Sequence, residues 1–375
     1  MDDLPTIGVV GLGTMGLGIA QVFAQAGYPV LATDAQPAAR DTASDRMAQA
    51  LQSRVDAGKL ATADRDSTLS RLKVVADPAG LAPSALVIEA IVEKLEAKRN
   101  LFATLESSLT PTAILATNTS SLPIHAIAEG LRHPERLLAL HFFNPPTAMK
   151  LVELAPHAMT DPGVVERARN WTTAAGKTVI LCPDRPGFIV NRCARPYYGE
   201  ALALLSEGRG AGEIDAAMTE VGYRLGPFAL IDLIGADINL AATEGMHDAM
   251  SRHPRYHPFD ALKAQVRSGN LGRKTGHGFV FPDPAVPPPP DAAEIALRIE
   301  ATLVNEALWL LSEGGTTPEG IDTALRLGLN FPRGPFETLS RHGRPAILQE
   351  LARLRAAAPE ALKPRYDPAP GLEAK

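Results

Sequence analysis

The opening of the chain places a strand, a glycine-rich turn and a helix in immediate succession. Apolar residues 6–10 predict a short strand, Gly11-Leu-Gly13-Thr-Met-Gly16 follows, a helix runs to about Ala26, and a second strand, 28–33, ends at Asp34. In such a βαβ unit Gly11 permits the tight turn, Gly13 lets a pyrophosphate approach the backbone, and Gly16 lets helix and strand pack closely. The order of these elements predicts a dinucleotide-binding fold.

The start of the first helix is the predicted phosphate site, because its N–H groups and dipole favour negative charge. Asp34 lies 18 residues after Gly16. There its carboxylate can accept hydrogen bonds from the adenosine ribose and would repel a 2′-phosphate, which favours NAD over NADP. We therefore expect cofactor contacts from the following residues: Gly11, Gly13, Thr14, Met15, Gly16 and Asp34.

Strand-like and helical segments alternate as far as residue 182. The strand-like segments are KVVAD, ALVIEA, AILATN, LLALHFF, KLVELA and KTVILC, with helical candidates at 37–58, 93–107 and 162–176. This α/β alternation predicts a Rossmann-type, doubly wound parallel sheet over residues 1–185. After Phe188 the pattern predicts helices only, with apolar residues at three- and four-residue spacing from Ile189 to Leu205.

The helical half contains an internal repeat. EALALLSEG (200–208) returns as EALWLLSEG (306–314), EIDAAM (213–218) as GIDTAL (320–325), and YRLGPF (223–228) as NFPRGPF (330–336). We predict two tandem all-α domains, 186–281 and 292–358, joined by a proline-rich linker, 282–291, of the semi-rigid kind. Residues 359–375 are rich in Pro, Ala and charge, and we expect a flexible tail there.

Composition excludes several classes of function. The formal net charge of −5, from 37 Lys and Arg against 42 Asp and Glu, provides no basic surface for nucleic acid. The start MDDLPTIGVV lacks the positive charge of a signal peptide, and no run approaches the roughly 18 apolar residues of a membrane span. The two cysteines, Cys182 and Cys193, have no metal-ligand spacing. We expect a cytoplasmic protein without a metal, nucleic acid or membrane partner.

Four polar residues predict a site for moving a hydride and a proton: Ser120 in NTSSL, His141 in LHFFNPP, Glu153 in KLVEL and Asn191 in GFIVNR. Oxidation of a secondary alcohol needs a base for the hydroxyl proton, and imidazole suits that task near neutral pH. His141 ends the apolar strand LLALH, where strand carboxyl ends face the cofactor crevice. A buried structural histidine is the alternative for His141.

The other three residues would support this base. An unpaired buried carboxylate is costly, so we expect Glu153 to pair with His141 and orient it, as the acid does in a serine-protease triad. Ser120 can donate and accept hydrogen bonds at once, whereas Ser121 is expected to cap a helix that begins near Pro123. Asn191 can donate its amide to the carbonyl oxygen that develops.

Eight segments resemble, in order and approximate spacing, the L-3-hydroxyacyl-CoA dehydrogenase family: GLGTMG, VIEAIVEKLEAK, NTSSL, LHFFNP, MKLVEL, PGFIVNR, LGPF and GRKTGHGF. The resemblance covers about residues 5–280. It implies an oxidoreductase of fatty-acid β-oxidation type, which oxidises an (S)-3-hydroxyacyl-CoA reversibly to the 3-oxoacyl-CoA with NAD. The repeated helical unit resembles members with two tandem carboxy-terminal domains, among them some 3-hydroxybutyryl- or 3-hydroxyadipyl-CoA dehydrogenases.

The resemblance also implies roles for individual residues. Family spacing selects Ser120, 21 residues before His141, as the serine at the substrate oxygen. It implies nicotinamide and ribose contacts for Glu93, Lys98, Ser120 and Asn144, with a solvated helical face as the alternative for the first two. It implies substrate contacts for Lys59, Ser120 and Asn191, with Lys59 at the CoA phosphates. Gln52 stands where the family has a serine, which leaves the CoA contacts open.

The second helical copy is expected to be structural. Leu297 takes the place of Asn191, whereas Arg298 matches Arg192. Family members with one helical domain typically dimerise through it, so a second copy in the same chain could replace the partner. We expect a monomer, or a weaker homodimer than usual.

Two other functions stay open at this point. A dehydrogenase of a free hydroxy acid, of the gulonate or carnitine type, shares the fold and the base without needing CoA. A non-catalytic binding protein or lens-type structural protein on the same fold is the other alternative. The duplicated helical unit and Asn191 favour the acyl-CoA substrate over the former, and the intact group of four polar residues disfavours the latter.

Overall fold

The chain divides between Arg185 and Pro186 into two units, at the point where the sequence pattern changes from alternating to helical. The computed structural model describes residues 4–372. In that range no helix has both the length and the apolar character needed to cross a membrane. Likewise, no group of three or more His, Cys, Asp and Glu side chains in the described range could hold a metal ion.

The amino-terminal unit is built on one mostly parallel sheet, as expected for a Rossmann-type fold. Its described strands are β1 (Ile7–Val10), β2 (Val30–Thr33), β3 (Leu72–Val74), β4 (Leu86–Glu89), β5 (Ile114–Thr117), β6 (Leu137–Phe142), β7 (Leu151–Pro156) and β8 (Thr178–Leu181). The order across the sheet is β3-β2-β1-β4-β5-β6-β7-β8. β1, β4 and β5 are buried along their whole length, which explains their continuous apolar sequences.

Helices connect these strands and supply the rest of the core. They are α1 (Thr14–Gln25), α2 (Pro37–Asp56), α3 (Thr62–Arg71), α4 (Leu95–Ser108), α5 (Ile124–Ala128) and α6 (Pro162–Ala174). Apolar side chains of α1, α2 and α6, such as Phe23, Met47 and Val164, pack with strand residues in one hydrophobic cluster. This packing fixes the start of α1 against the end of β1.

The sheet departs from the expected all-parallel arrangement at β7. β6 and β7 pair antiparallel, with His141 directly opposite Glu153, and β8 then pairs parallel to β7. The cause is the connection of residues 143–150, which contains no helix. A parallel crossover requires a dozen or more residues, so this short connection returns β7 in the opposite direction.

One edge of the sheet collects the predicted site. β2, β1, β4, β5 and β6 run parallel side by side, so their carboxyl ends share an edge. Strand order changes direction between β1 and β4, which is the position where open α/β sheets bind ligands. The glycine turn, Asp34 and His141 all lie at or just beyond these ends.

The carboxy-terminal unit is helical. Its described α-helices are α7 (Val190–Cys193), α8 (Arg195–Ser206), α9 (Ala211–Glu220), α10 (Pro227–Ile234), α11 (Ala236–Ala249), α12 (Asp260–Arg267), α13 (Ala292–Ser312), α14 (Pro318–Leu329), α15 (Pro335–His342) and α16 (Arg344–Ala357). Residues 282–291 contain no α-helix or strand and are mostly exposed. By sequence position α13 corresponds to α7 with α8, and α14, α15 and α16 correspond to α9, α10 and α11.

The repeated Ile-Asp and Gly-Pro-Phe sequences form one structural motif. Asp215 accepts hydrogen bonds from the backbone N–H groups of Phe228 and Ala229 at the start of α10. A Cβ on Gly226 would lie 2.3 Å from the Asp215 carboxyl carbon, so glycine is required there. Asp322 makes the equivalent contacts in the second copy. The motif explains why these residues recur together at a distance of about 107 positions.

The two copies form reciprocal ion pairs, in which the arginine of each copy bonds to the glutamate of the other. Arg192 bonds to Glu306 of the second copy at 2.7 Å, and Arg298 bonds to Glu200 of the first copy at 2.7 Å. Arg192 also reaches Glu313, and the equivalent Arg298 reaches Glu207. Each pair of equivalent residues is separated by 106 positions. The copies are thus joined by a pseudo-twofold interface.

The predicted flexible tail, 359–375, is wrong for its described part. Glu360–Tyr366 form a 3-10 helix, and Tyr366, Ala369 and Leu372 are 4%, 1% and 1% exposed. These side chains pack in one hydrophobic cluster with α13 and α16. Composition was a poor guide here because a few apolar residues, Tyr366, Ala369 and Leu372, are enough to pack the segment against the core.

The tail belongs to the second copy of the repeat. PRYHP (254–258) returns as PRYDP (364–368). Arg365 and Tyr366 both bond to the buried carboxylate of Glu200. Arg255 and Tyr256 bond in the same way to Glu306. The tail therefore completes the pseudo-twofold interface.

Deletion of residues 359–375 is expected to lower the free energy of unfolding of the helical unit by about 3 kcal/mol or more, because Glu200 loses two buried partners and apolar burial is lost. Urea unfolding followed by circular dichroism measures this. Deletion of 373–375 alone serves as the control and is expected to change stability by less than about 0.5 kcal/mol. Equal urea midpoints for the two truncations would contradict the packing role of the tail.

Candidate active site

The glycine turn after β1 satisfies steric requirements that only glycine meets. Gly11 has a φ of +98°, and a Cβ there would lie 2.4 Å from the carbonyl oxygen of Ala90. A Cβ on Gly16 would lie 1.7 Å from the carbonyl oxygen of Gly11. Gly13 differs, since no atom of the described residues lies within 4 Å of the place its Cβ would take.

The open side of Gly13 adjoins the start of α1. Gly13 is the N-cap residue of that helix, which has no side-chain cap and no acidic residue in its first turn. The N–H groups of Thr14, Met15 and Gly16 precede the first intrahelical bond, from Leu17 to Gly13, and therefore need an acceptor. A pyrophosphate against the bare Gly13 backbone meets that need, so the residues present fit the dinucleotide.

Asp34 directly follows β2 and is held beside the glycine turn. Its Oδ2 accepts a hydrogen bond from Leu12 N at 2.6 Å and its Oδ1 one from Gln36 N at 2.8 Å. A carboxylate has about four lone-pair positions, so it retains capacity for ribose hydroxyl groups. The side chain is part-exposed, which agrees with a contact to the ribose. Its negative charge would repel a 2′-phosphate.

Lys98 lies in a buried charge cluster. Its Nζ is 2.6 Å from Glu89 Oε1 and 3.1 Å from Glu93 Oε2, and only 1% of its side chain is exposed. Glu89 also accepts a hydrogen bond from Thr117. Since these carboxylates cover the ammonium group, Lys98 is placed to support Glu93, and its own cofactor contact stays a prediction. The solvated helical face considered as its alternative is wrong, because the side chain is buried.

Glu93 organises the turn that follows β5. Its Oε1 accepts hydrogen bonds from Thr119 Oγ1, from Ser120 N at 3.2 Å and from Ser121 Oγ at 3.0 Å. Burial opposes ionisation of Glu93, but the charge of Lys98 and these hydrogen bonds outweigh it and lower its pKa. An ionised Glu93 thus holds the turn that carries Ser120.

The expected helix cap at Ser121 is wrong. The hydroxyl group of Ser121 bonds to Glu93, and α5 is capped instead by Asp184, which accepts from Ile124 N at 2.9 Å and His125 N at 3.0 Å. Asp184 is distant in sequence, so local sequence patterns could not identify it.

His141 and Glu153 form a buried pair. His141 Nδ1 lies 2.7 Å from Glu153 Oε2, with 8% and 0% of the side chains exposed. Because an ionised carboxylate only accepts hydrogen bonds, Nδ1 carries the proton and Nε2 is the basic atom of the ring. The pairing expected from the cost of a buried carboxylate is present.

A hydrogen bond ties the turn that carries Ser120 to the strand end that carries His141. Asn118 Oδ1 accepts from Phe142 N at 2.8 Å, which ties the turn after β5 to the end of β6. Ser120 is two residues beyond Asn118, and His141 is adjacent to Phe142. Asn144 follows on the exposed start of the connection 143–150.

Two further predicted residues belong to other segments of the chain. Asn191 is part of α7 in the helical unit, and its role stays a prediction. Lys59 is exposed in the turn between α2 and α3, and Gln52 bonds to Asp56 at 2.7 Å. The CoA contact of Lys59 also stays a prediction.

Sequence reasoning missed Glu89, Thr119 and Asp184. Glu89 ends the buried strand β4 and is 0% exposed. The same argument that found Glu153 could have found Glu89, because a carboxylate at the end of an apolar strand needs a partner. Thr119 and Asp184 carry no comparable signal.

This combination of fold and site defines a dinucleotide-dependent dehydrogenase. The family model for the NAD-binding domain of 3-hydroxyacyl-CoA dehydrogenase matches residues 6–185. The model for the C-terminal domain of the same enzymes matches residues 187–281 and 295–374. The chain therefore belongs to the 3-hydroxyacyl-CoA dehydrogenase family, which confirms the expected activity and the NAD cofactor.

Similar proteins support this assignment over the whole chain. The 3-hydroxyadipyl-CoA dehydrogenase of Escherichia coli K12 is 34% identical, over 95% of this chain and 94% of its own. A solved 3-hydroxybutyryl-CoA dehydrogenase from Escherichia coli K12 has a TM-score of 0.91 and 33% identity, covering 98% and 97% of the two chains. A 3-hydroxybutyryl-CoA dehydrogenase of Mycobacterium tuberculosis is 38% identical over 98% of its own length but only 74% of this chain.

Substitution of Glu93 by Gln is expected to destabilise the protein more at pH 7 than near pH 4. The pKa of Glu93 is lower in the folded state than its ordinary 4.5. Its ionised form therefore stabilises the fold above the unfolded-state pKa, and this contribution disappears as the pH falls through the folded-state pKa. Urea unfolding at several pH values measures the difference between wild type and Glu93→Gln.

Glu96→Gln is the matched control, because Glu96 lies in α4 with 78% of its side chain exposed. We expect it to change stability little at either pH. A wild-type advantage over Glu93→Gln that stays constant between pH 7 and pH 4 would contradict the assigned role of the charge.

Proposed function

We propose that His141 is the general base of this dehydrogenase and that Glu153 orients it. The observation that supports the proposal is the His141–Glu153 pair, with Nδ1 bonded to a fully buried carboxylate at 2.7 Å. This arrangement fixes the ring and directs proton transfer to Nε2.

In the proposed mechanism, bound NAD supplies the acceptor for the hydride that leaves C3 of the substrate. His141 Nε2 takes the hydroxyl proton in the same step, so the alcohol loses one proton and one hydride and becomes a ketone. The imidazolium that forms is stabilised by the adjacent Glu153 carboxylate in a site of low dielectric. In the reducing direction the imidazolium returns this proton to the oxygen.

The remaining site residues bind and position. The Ser120 hydroxyl group and the Asn191 amide hold the 3-oxygen, and the amide favours the carbonyl form by donating to it. Gly11 to Gly16 bind the pyrophosphate and Asp34 the ribose. Glu93 and Asn144 meet the nicotinamide end, with Lys98 behind Glu93. Lys59 is assigned to the CoA phosphates.

The proposed substrate is a coenzyme A ester of a 3-hydroxy acid. The similar proteins carry the names 3-hydroxyadipyl-CoA and 3-hydroxybutyryl-CoA dehydrogenase, which differ in whether the acyl end is a second carboxylate. The sequence has only two cysteines, Cys182 and Cys193, and such low cysteine usage is typical of a reducing compartment. We place the enzyme in the cytoplasm on this ground.

His141→Ala is expected to reduce turnover of acetoacetyl-CoA with NADH by about 10²–10⁴-fold, the usual effect of losing a general base. The assay follows NADH oxidation at 340 nm. NADH affinity, measured by fluorescence, is expected to stay within about twofold, because the ring acts on the substrate proton. His133→Ala is the matched control, since His133 is half exposed in the same unit, and should retain full activity.

Other outcomes identify the alternatives. Unchanged turnover in His141→Ala would exclude His141 as the base. Activity of the wild type on a free 3-oxo acid but not on acetoacetyl-CoA would favour a free hydroxy-acid substrate. Equal rates with NADPH would contradict the role of Asp34.

We further propose that the second helical copy takes the place of a dimer partner. In a twofold symmetric interface residue i of one subunit contacts j of the other, and j contacts i. The reciprocal pairs Arg192–Glu306 and Arg298–Glu200 have this property within one chain. Since all four side chains are buried, the interface is already closed.

The protein is expected to be a monomer at low micromolar concentration, because its pseudo-twofold interface is satisfied internally. Light scattering coupled to size-exclusion chromatography measures the mass. A mass of one chain across a tenfold dilution series supports the proposal. A mass of two chains that persists through the dilution would contradict it.

A further inference from the structure

A buried lysine that the proposed mechanism does not use precedes β8. Lys177 is 8% exposed, and its Nζ donates to the carbonyl oxygens of Pro146 at 2.5 Å and Met149 at 2.8 Å. Among residues 4–372 these two carbonyl groups are its hydrogen-bond partners, and no carboxylate of that range lies within 4.0 Å of Nζ.

The charge of Lys177 is costly where it lies. A buried ammonium group without a counter-ion loses its hydration with limited compensation, and burial lowers the pKa of Lys177 accordingly. Methionine would fill a similar volume without this cost. What Lys177 provides and methionine would not is the pair of hydrogen bonds, and both bind one backbone segment.

That segment is the connection 143–150 between β6 and β7. It makes its own turn, with Ala148 N and Met149 N both bonding to Pro145 O at 3.0 Å. Its other side contacts α1, where a Cβ on Gly18 would lie 3.0 Å from the Pro146 ring. The connection is thus fixed between α1 and Lys177, while Asn144 at its start stays exposed.

We infer that Lys177 is a positioning residue that fixes the connection 143–150 so that the Asn144 amide meets the nicotinamide end of the cofactor. The inference rests on the proposed function, which places Asn144 at the nicotinamide. Lys177 acts through backbone carbonyl groups and does not touch the cofactor. Its loss should therefore affect recognition of the nicotinamide and leave recognition of the adenosine diphosphate part intact.

Comparison of NADH with ADP-ribose tests this, because ADP-ribose retains the pyrophosphate and adenosine but lacks the nicotinamide. Isothermal titration calorimetry on the full chain gives both dissociation constants. For Lys177→Met we expect NADH affinity to fall by about tenfold, the effect of one lost hydrogen bond to the ligand. We expect ADP-ribose affinity to stay within about twofold, since that part of the site is unchanged.

Lys150→Met is the matched control, because Lys150 is an exposed lysine at the other end of the same connection. It removes the same charge and should leave the ratio of the two affinities unchanged. Lys177→Gln retains two N–H donors without the charge, and an intermediate loss of about threefold in the ratio is expected. If Lys177→Met does not fold, the Gln variant decides alone, and an unchanged ratio there overturns the inference.

Asn144→Ala separates failure of this inference from failure of the proposed site. If Asn144→Ala leaves the NADH to ADP-ribose ratio unchanged, the nicotinamide contact of Asn144 is wrong, and the inference falls with it. If Asn144→Ala lowers the ratio and Lys177→Met does not, only the inference is overturned. A further loss of less than about twofold when Lys177→Met is added to Asn144→Ala supports it, because the two residues then act as one unit.

Discussion

A carboxylate removed from water needs hydrogen-bond donors or a cation to compensate for the lost hydration, and this requirement organises both units of the protein. Glu89, Glu153, Glu200 and Glu306 are each at most 1% exposed. Each one joins two different elements: Glu89 binds α4 to β4, Glu153 binds β7 to β6, and the other two join the helical copies. Because breaking such a pair is strongly destabilising, these contacts specify which elements meet.

The elements themselves were largely predictable from the sequence. Apolar runs of four residues bounded by turn residues predicted the strands, and the glycine spacing predicted the dinucleotide turn, because both signals are local. The direction of β7 was not predictable from alternation alone. It depends on the length of the connection 143–150, in which the sequence shows no helix but also no obvious hairpin turn.

The site residues were predictable where a buried charge requires a bonding partner. They were not predictable where the contact depends on how distant segments fold together. Glu153 was recognisable as a charged residue in an apolar strand, and His141 as the group that could pair with it. The burial of Lys98 and the helix cap by Asp184 were not foreseen, because the sequence cannot show that an ammonium group is enclosed by two carboxylates or that a helix is capped from 60 residues away. The tail was misjudged because the prediction rested on its composition and overlooked the repeat of PRYHP (254–258) as PRYDP (364–368).

The pseudo-twofold interface between the helical copies lies within one polypeptide, and this changes how it can evolve and respond to dilution. In a homodimer every substitution appears in both subunits, so neither could lose Asn191 alone. Here the second copy carries Leu297 at that position while Arg298 is kept for the interface. Association of the copies is also unimolecular, so the free energy that joins them does not depend on protein concentration.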